Sequence, residues 1–279
     1  MSILHCGHFR LSLERPLIMG IVNLTPDSFS SDGLVGDLER AVDHARYQLE
    51  AGADILDIGA ESSRPGAIPT PEAEELRRLL PLLERIADWG VPISVDTYKP
   101  AVMRAALAAG ATMINDISGL RHPEALAAVS DSDCAVCVMH MRGEPGTMQQ
   151  APEYVDVVAE VGMYLEQQLA RCLEAGIEAD RIVLDPGFGF GKTLAHNLAL
   201  FRGLTAMAAQ ACPLLVGVSR KTMLGEITGR PVGERQVASV AAAMLAAQKG
   251  VRILRVHDVA ATRDALSVLA AVEQGEENV

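Results

Sequence analysis

The chain is short of aromatic residues, basic charge, cysteine and long apolar runs, and each shortage removes a class of protein. Aromatics make up 4% of its 279 residues against 49% hydrophobic overall, so its core is built from Ala, Val, Leu, Ile and Met, a palette suited to buried parallel strands under Ala-rich helices. Lys and Arg number 24 against 36 Asp and Glu, a formal charge of −12. A surface field of that sign repels polyanions and disfavours nucleic-acid binding. The longest mostly apolar stretch, Leu204 to Val218, is interrupted by Gln210, Pro213 and Gly217 and falls short of the roughly 18 residues a bilayer span needs. Near the start, His5, His8, Arg10 and Glu14 interrupt short apolar pieces, unlike the basic start and unbroken apolar run of a secretory signal, so the expected address is the cytosol. Five cysteines, Cys6, Cys134, Cys137, Cys172 and Cys212, are odd in number and scattered, as expected where thiols stay reduced.

Two local spellings invite a metal or redox reading, and the residue pattern argues against both. Cys134-Ala-Val-Cys137 lies in an apolar, β-branched run, where positions i and i+3 point to opposite faces of a strand. His5-Cys6-Gly7-His8 contains a glycine and fits a tight hairpin turn.

Short β-branched runs alternate with longer helical stretches, the pattern of βα units around a parallel sheet. Strands are predicted at Leu17 to Asn23, Ala53 to Gly59, Pro92 to Asp96, Thr112 to Ile117, Cys134 to His140, Arg181 to Asp185, Leu214 to Ser219 and Val251 to His257. Between them, apolar-periodic or Ala-rich stretches predict helices at Leu38 to Ala51, Pro71 to Trp89, Ala101 to Ala109, Tyr154 to Ala175, Arg235 to Lys249 and Ala260 to Val272. Gly52, Gly90, Gly110, Gly176 and Gly250 follow helices, where a left-handed residue closes the last turn. Eight βα units in about 250 residues match a single (β/α)8 TIM barrel, with an open doubly wound sheet as the alternative. Ser2 to Arg15 is expected to form an N-terminal hairpin plug, and Glu273 to Val279 a frayed tail on one domain spanning residues 1–279.

Polar residues inside doubly buried strands are costly unless partnered, and here they gather at the C-terminal strand ends: Asn23, Asp57, Asp96, Asn115, Asp185, Ser219, Arg255 and His257. In a barrel that end holds the active site. By period two, Ile253, Arg255 and His257 share one face, as do Met113, Asn115 and Ile117. Asp27, Asp116 and Asp258 fall off that parity or beyond the strand and read as caps or turn formers. Arg64, Arg220, Lys221, Arg255 and His257 converge at the mouth of an otherwise acidic protein, which points to an anionic ligand. Asp96, Asn115 and Asp185 offer acceptors for a planar heterocycle rich in N–H donors. A heterocycle carrying phosphates satisfies both groups. The segment Gly187-Phe-Gly-Phe-Gly-Lys-Thr193 is no P-loop, because Pro186 stands where that motif needs glycine. Its glycines are expected to let the backbone approach a ligand beside Phe188 and Phe190.

With these residues in place, the chain resembles the dihydropteroate synthase family of pterin-binding enzymes over essentially its whole length. The landmarks are Met19-Gly-Ile-Val-Asn-Leu-Thr-Pro-Asp-Ser-Phe-Ser30, Asp57-Ile-Gly-Ala-Glu-Ser-Ser-Arg-Pro-Gly66, Ser94-Val-Asp-Thr97, Ile114-Asn-Asp116, Asp185-Pro-Gly-Phe-Gly-Phe-Gly-Lys192, Ser219-Arg-Lys221 and Arg255-Val-His257. The resemblance implies condensation of 6-hydroxymethyl-7,8-dihydropterin diphosphate with 4-aminobenzoate, assisted by Mg²⁺, by a single barrel acting as a homodimer. It implies that Asp96, Asn115, Asp185 and Lys221 hold the pterin with Met139, Phe188 and Gly217, and that Asp96, Asp185, Lys221 and Arg255 are catalytic. Ser63, Arg64, Pro65, Phe190 and Ser219 would receive the aminobenzoate, where sulfonamides would compete. Asn23, Ser63, Arg64, Arg255 and His257 would take the diphosphate, Asn23 also reaching the metal. The chain departs from the family at Ser63, commonly Thr, and at Ala60, commonly Gly. Two other activities remain open at this point: a pterin-binding methyltransferase module working with a corrinoid partner, and a class I aldolase with Lys221 as Schiff-base lysine.

Overall fold

In the computed structural model, which describes residues 3–24, 38–62, 66–209 and 211–274, every predicted strand forms. An antiparallel hairpin comes first, β1 (Ile3–Cys6) and β2 (Phe9–Ser12), turning through Gly7 and His8 with Gly7 at φ 59°. The parallel strands are β3 (Leu17–Asn23), β4 (Ile55–Gly59), β5 (Ile93–Asp96), β6 (Met113–Asp116), β7 (Ala135–Met139), β8 (Ile182–Asp185), β9 (Leu215–Val216) and β10 (Ile253–Val256). They hydrogen-bond in the order β8-β7-β6-β5-β4-β3-β10-β9. A parallel bridge between Leu184 and Leu214 joins the first strand of that row to the last, so the sheet curls into the (β/α)8 barrel and is not an open doubly wound sheet. At β9 the ladder is only two residues long, bounded by Pro213, which has no N–H to donate, and Gly217.

Helices α1 (Leu38–Glu50), α2 (Glu72–Ile86), α3 (Pro100–Ala108), α4 (Pro123–Ser130), α5 (Val157–Glu174), α6 (Leu194–Ala208), α7 (Thr222–Thr228), α8 (Gln236–Gln248) and α9 (Val259–Gln274) wrap the barrel. The five glycines expected to end helices all have positive φ. Helix α9 runs through Gln274, two residues into the stretch expected to fray. On α2, Leu79, Leu82, Leu83 and Ile86 recur at spacings of three and four, forming one buried stripe. They meet the outward strand residues Ile58, Val95 and Ile114 in the layer between helices and barrel. Each such side chain contributes about 1.5–3 kcal/mol when fully buried.

Inward residues alternate with these. Leu17, Met19, Ile55, Met113, Cys137, Val183, Leu215 and Ile253 fill the lower half of the barrel, and Leu4, Cys6 and Leu13 close it from below. The N-terminal hairpin is therefore a plug, as predicted. Cys134 faces the outer layer and Cys137 the interior, as strand parity requires. All five cysteines are free and buried. Among the described residues, no helix is long and apolar enough to cross a membrane.

Candidate active site

The inward parity that fills the bottom of the barrel with apolar side chains delivers polar ones to the top. Two residues above Ile55, Met113, Val183 and Ile253 come Asp57, Asn115, Asp185 and Arg255, and β5 supplies Asp96. At their centre lies the Arg255 guanidinium. Its Nε donates to Asp57 Oδ2 at 2.6 Å and its Nη2 to Asp96 Oδ2 at 2.9 Å. Asn115 Nδ2 reaches the same Asp57 oxygen at 3.5 Å. The resemblance assigns Arg255 to an anion and Asp96 to the pterin; the structure holds the two together and makes Arg255 the common partner of Asp96 and the fully buried Asp57. In the sequence Asp57 is a polar strand tip and the first residue of a family landmark, with no role assigned to it. The inward alternation of Ile55, Asp57 and Gly59 is the signal that marks it.

Burial dominates the protonation of this ring. It pushes the Asp96 carboxyl up to about 7, against the pull of Arg255 and with the help of neighbouring carboxylates. Asp185 is also raised by burial, although Lys221 and the Gly187 N–H, which donates to Asp185 Oδ1 at 2.7 Å, oppose it. Burial lowers Lys221 to about 8, opposed by Asp185. For Arg255, burial works against the charge but Asp57 and Asp96 outweigh it, so its pKa lies above the ordinary value.

Lys221 Nζ donates to the Phe188 carbonyl at 2.5 Å and stands 4.7 Å from the centre of the Phe190 ring. Phe190 belongs to an apolar patch at the rim with Met139, Ile117, Met141, Met148 and Tyr98. Met139 and Phe190 were anticipated there. Met141, Met148 and Tyr98 were not, since they come from loops whose course no periodicity reports. The Phe188 side chain, by contrast, is fully buried among the outer-layer residues, its ring 5.8 Å from that of Phe201 on α6; only its carbonyl serves the mouth.

The glycines flanking them also serve the packing of the loop itself. A side chain at Gly187 would overlap the His140 carbonyl, and one at Gly191 would come within 2.5 Å of the Arg142 carbonyl. Both glycines sit at positive φ, and they let this loop pack on the chain after β7. Lys192 fixes the same loop from inside, donating to the carbonyls of Gly187 at 2.8 Å and Phe190 at 3.1 Å and lying 2.8 Å from His140 Nδ1.

On the opposite side, His257 N donates to Ser219 Oγ at 3.2 Å, and His257 Nδ1 lies 2.9 Å from the same hydroxyl. Ser219, predicted for the aminobenzoate, thus joins the residues predicted for the diphosphate. Gly217 lies beside Arg255, as strand parity expects. Arg220 is engaged by Asp258 in a two-pronged pair of 2.6 and 3.1 Å, so its charge is not left to an anionic ligand, and Asp258 does more than cap a helix or form a turn. Asp116 is a turn former, accepting from Ser118 N and Leu120 N at 2.7 and 2.8 Å. Ser63, Arg64 and Pro65, with Asp27, lie outside the described residues.

Asn23 ends β3 in register with Gly59. A methyl group at Gly59 would lie 3.5 Å from both Asn23 Oδ1 and Asp96 Cβ, so the glycine keeps a cradle open between an amide oxygen and a carboxylate. Such a donor set fits a Mg²⁺ ion, which takes one or two protein oxygens and completes its shell with water and substrate phosphates. His5, Glu178 and Asp180 also group closely enough to hold a cation, but they lie beside the plug, at the far end of the barrel from this cradle.

A barrel mouth that interleaves buried carboxylates with cations at its strand tips agrees with the comparisons to known proteins. The family described as pterin binding enzyme matches residues 19–257. The dihydropteroate synthase of Escherichia coli is 48% identical over 269 residues, covering 96% of this chain and 95% of its own. The chain belongs to the dihydropteroate synthase family. Among solved dihydropteroate synthases, that of Burkholderia cenocepacia complexed with 7,8-dihydropteroate is 50% identical with a TM-score of 0.90, over 98% of this chain and 97% of the other. The Yersinia pestis enzyme in a sulfonamide drug complex has a TM-score of 0.94 at 44% identity, over 98% and 100% of the two chains.

Proposed function

We propose that this mouth is where the dihydropteroate synthase reaction of the family runs: 6-hydroxymethyl-7,8-dihydropterin diphosphate and 4-aminobenzoate condense to 7,8-dihydropteroate, with release of diphosphate. The observation that carries this reading is the interior ring of Asp57, Asp96, Asn115, Asp185, Lys221 and Arg255, acids and bases interleaved at the strand tips of one barrel. Asp96, Asn115 and Asp185 take the amino-imine edge of the pterin, Lys221 its remaining acceptors, and Met139 and Gly217 flank its faces. Arg255, His257 and Asn23 take the diphosphate, together with Ser63 and Arg64. Phe190, Ser219, Ser63, Arg64 and Pro65 receive the aminobenzoate, and sulfonamides compete for that place.

An aromatic amine is a weak nucleophile, because its lone pair is delocalised into the ring. The favoured path is therefore dissociative. The methylene C–O bond breaks first, its electron pair leaving with diphosphate; the amine nitrogen then bonds to the pterin cation and sheds one proton to water at the open mouth. Three carboxylates, Asp57, Asp96 and Asp185, face two cations, Arg255 and Lys221, in the ring. When all are ionised, the residual negative charge is matched by one pterin cation, an interaction stronger in the transition state than in the ground state. A Mg²⁺ ion held at Asn23 would neutralise charge on the diphosphate and make it a better leaving group.

Diphosphate release that requires both aminobenzoate and Mg²⁺ is the expected result of a steady-state assay, and release indifferent to aminobenzoate would refute the reading. First-order dependence of C–O cleavage on the amine, with no positional isotope exchange in the diphosphate, would refute the dissociative path. The enzyme is proposed to act in the cytosol as a homodimer. In support, Ser239, Ala242, Ala243, Ala246 and Ala247 bury one side of α8, while Val237 and Leu245 on α8, Ile227 on α7 and Val268 and Val272 on α9 leave an exposed apolar face.

A further inference from the structure

We propose that Arg220 is a positioning residue that, through Asp258, locks together the two strand tips carrying Lys221 and His257. Lys221 N donates to the Val218 carbonyl at 3.1 Å, closing a four-residue turn. Its third residue, Arg220, sits at φ 58°, where such a turn ordinarily calls for glycine. The chain holds a long cationic side chain in a backbone conformation that disfavours it, a strain that persists only where the surroundings fix it.

Both backbone polar groups of Arg220 and two of its guanidinium nitrogens are held. Its N–H donates to Ser239 Oγ at 2.9 Å, and its carbonyl accepts from Arg235 Nη1 at 3.0 Å. Ser239 Oγ in turn donates to the Arg235 carbonyl at 2.7 Å, so α8 and the chain before it grip the turn from both sides. A side chain on Gly225 of α7 would collide with the Arg235 guanidinium, so that glycine clears the path of the grip. The Arg220 fork reaches across to Asp258, the residue after His257. The neighbours of Arg220 therefore diverge in a fixed way: Ser219 turns to His257, and Lys221 turns to the Phe188 carbonyl beneath the Phe190 ring. One ion pair sets the distance between the lysine assigned to the pterin and the histidine assigned to the diphosphate.

Given the substrate assignments above, on which this depends, the deciding variant is Arg220→Gly, because glycine adopts the left-handed turn without strain yet has no fork. It is expected to melt at the wild-type temperature or above. Its KM for the pterin diphosphate should rise about tenfold and its kcat fall by a similar factor, as loss of alignment at a preorganised site produces, while its KM for aminobenzoate changes less. Asp258→Asn should reproduce the effect, Arg220→Lys should restore part of it, and Arg220→Gly/Asp258→Asn should be no worse than either single variant. Wild-type kinetics in Arg220→Gly, a fall in kcat with KM unmoved, or additive losses in the double variant would each overturn the proposal. Wild-type enzyme assayed alongside separates the two levels, since absence of aminobenzoate-dependent release there refutes the substrate assignment instead. Calorimetry with inorganic diphosphate tests the tie independently of turnover: weaker binding by Arg220→Gly supports it, and equal binding refutes it.

Discussion

Arg255 is as much a part of the barrel interior as of the site. Its partner Asp57 has no exposed surface, and stripping the guanidinium away would leave a buried carboxylate uncompensated, at about 3–5 kcal/mol. Arg255→Ala is therefore expected to lower the melting temperature markedly and to weaken pterin itself, because Asp96 loses its partner too; unchanged stability in calorimetry would contradict this. Asp96 gives a signed prediction. Its pKa of about 7 in the folded chain lies above the ordinary aspartate value of 3.8, so the protonated form is the one folding favours. The stabilisation is full below the unfolded pKa and is lost as pH rises through 7. Asp96→Asn should thus raise the melting temperature at pH 8 and hardly at pH 4, at the expense of activity. In the wild type, kcat/KM for the pterin diphosphate should rise with pH around 7 as Asp96 ionises, and fall above about 8 as Lys221 loses its proton. A flat profile across that range would count against both roles. Strand parity made most of these residues readable in the sequence. It could not report that Arg255 spends two of its donors on carboxylates, because ion pairing across a barrel joins residues more than 150 positions apart.

At the scale of elements, the loop from Asp185 to Lys192 shows how far a motif can be read. Its glycines were visible, but what they accommodate is the main chain at His140 and Arg142, brought alongside only by the fold. Phe188, which the resemblance places at the pterin, has its ring packed in the outer core layer against Phe201. Phe188→Ala is accordingly expected to destabilise the protein by about 3–5 kcal/mol, whereas the milder Phe188→Leu should leave pterin affinity unchanged in calorimetry. Lys192→Met removes the donor shared by the Gly187 and Phe190 carbonyls. Each buried carbonyl left unpaired costs about 1–3 kcal/mol, and the freed Phe190 should show as a higher KM for aminobenzoate. Helices were less legible than strands. Helix α6 carries apolar residues on too many sides for a clear period, and α4 and α7 span only eight and seven residues, too few for periodicity to declare itself.

For the molecule as a whole, the count of strands sufficed because each parallel strand buried on both faces leaves an unmistakable β-branched run. What covers the outside was not decidable from an Ala-rich helix. The structure resolves that choice by turning Ala242, Ala243 and Ala246 inward and leaving Val237 outward, 82% exposed. Val237→Glu should convert the proposed dimer to a monomer in light scattering, while a variant that remains dimeric would move the contact elsewhere. The plug below the barrel carries a further consequence. Among the described residues, Leu4, Cys6 and Leu13 stopper the floor of the barrel, which leaves the strand-tip end as the way in. On the proposed assignment, a head group lodged deep against Asp96 and Asp185 would have to arrive before the partner settling over it at Phe190, so initial-rate kinetics are expected to show a compulsory queue with the pterin diphosphate first, and a random order would contradict it.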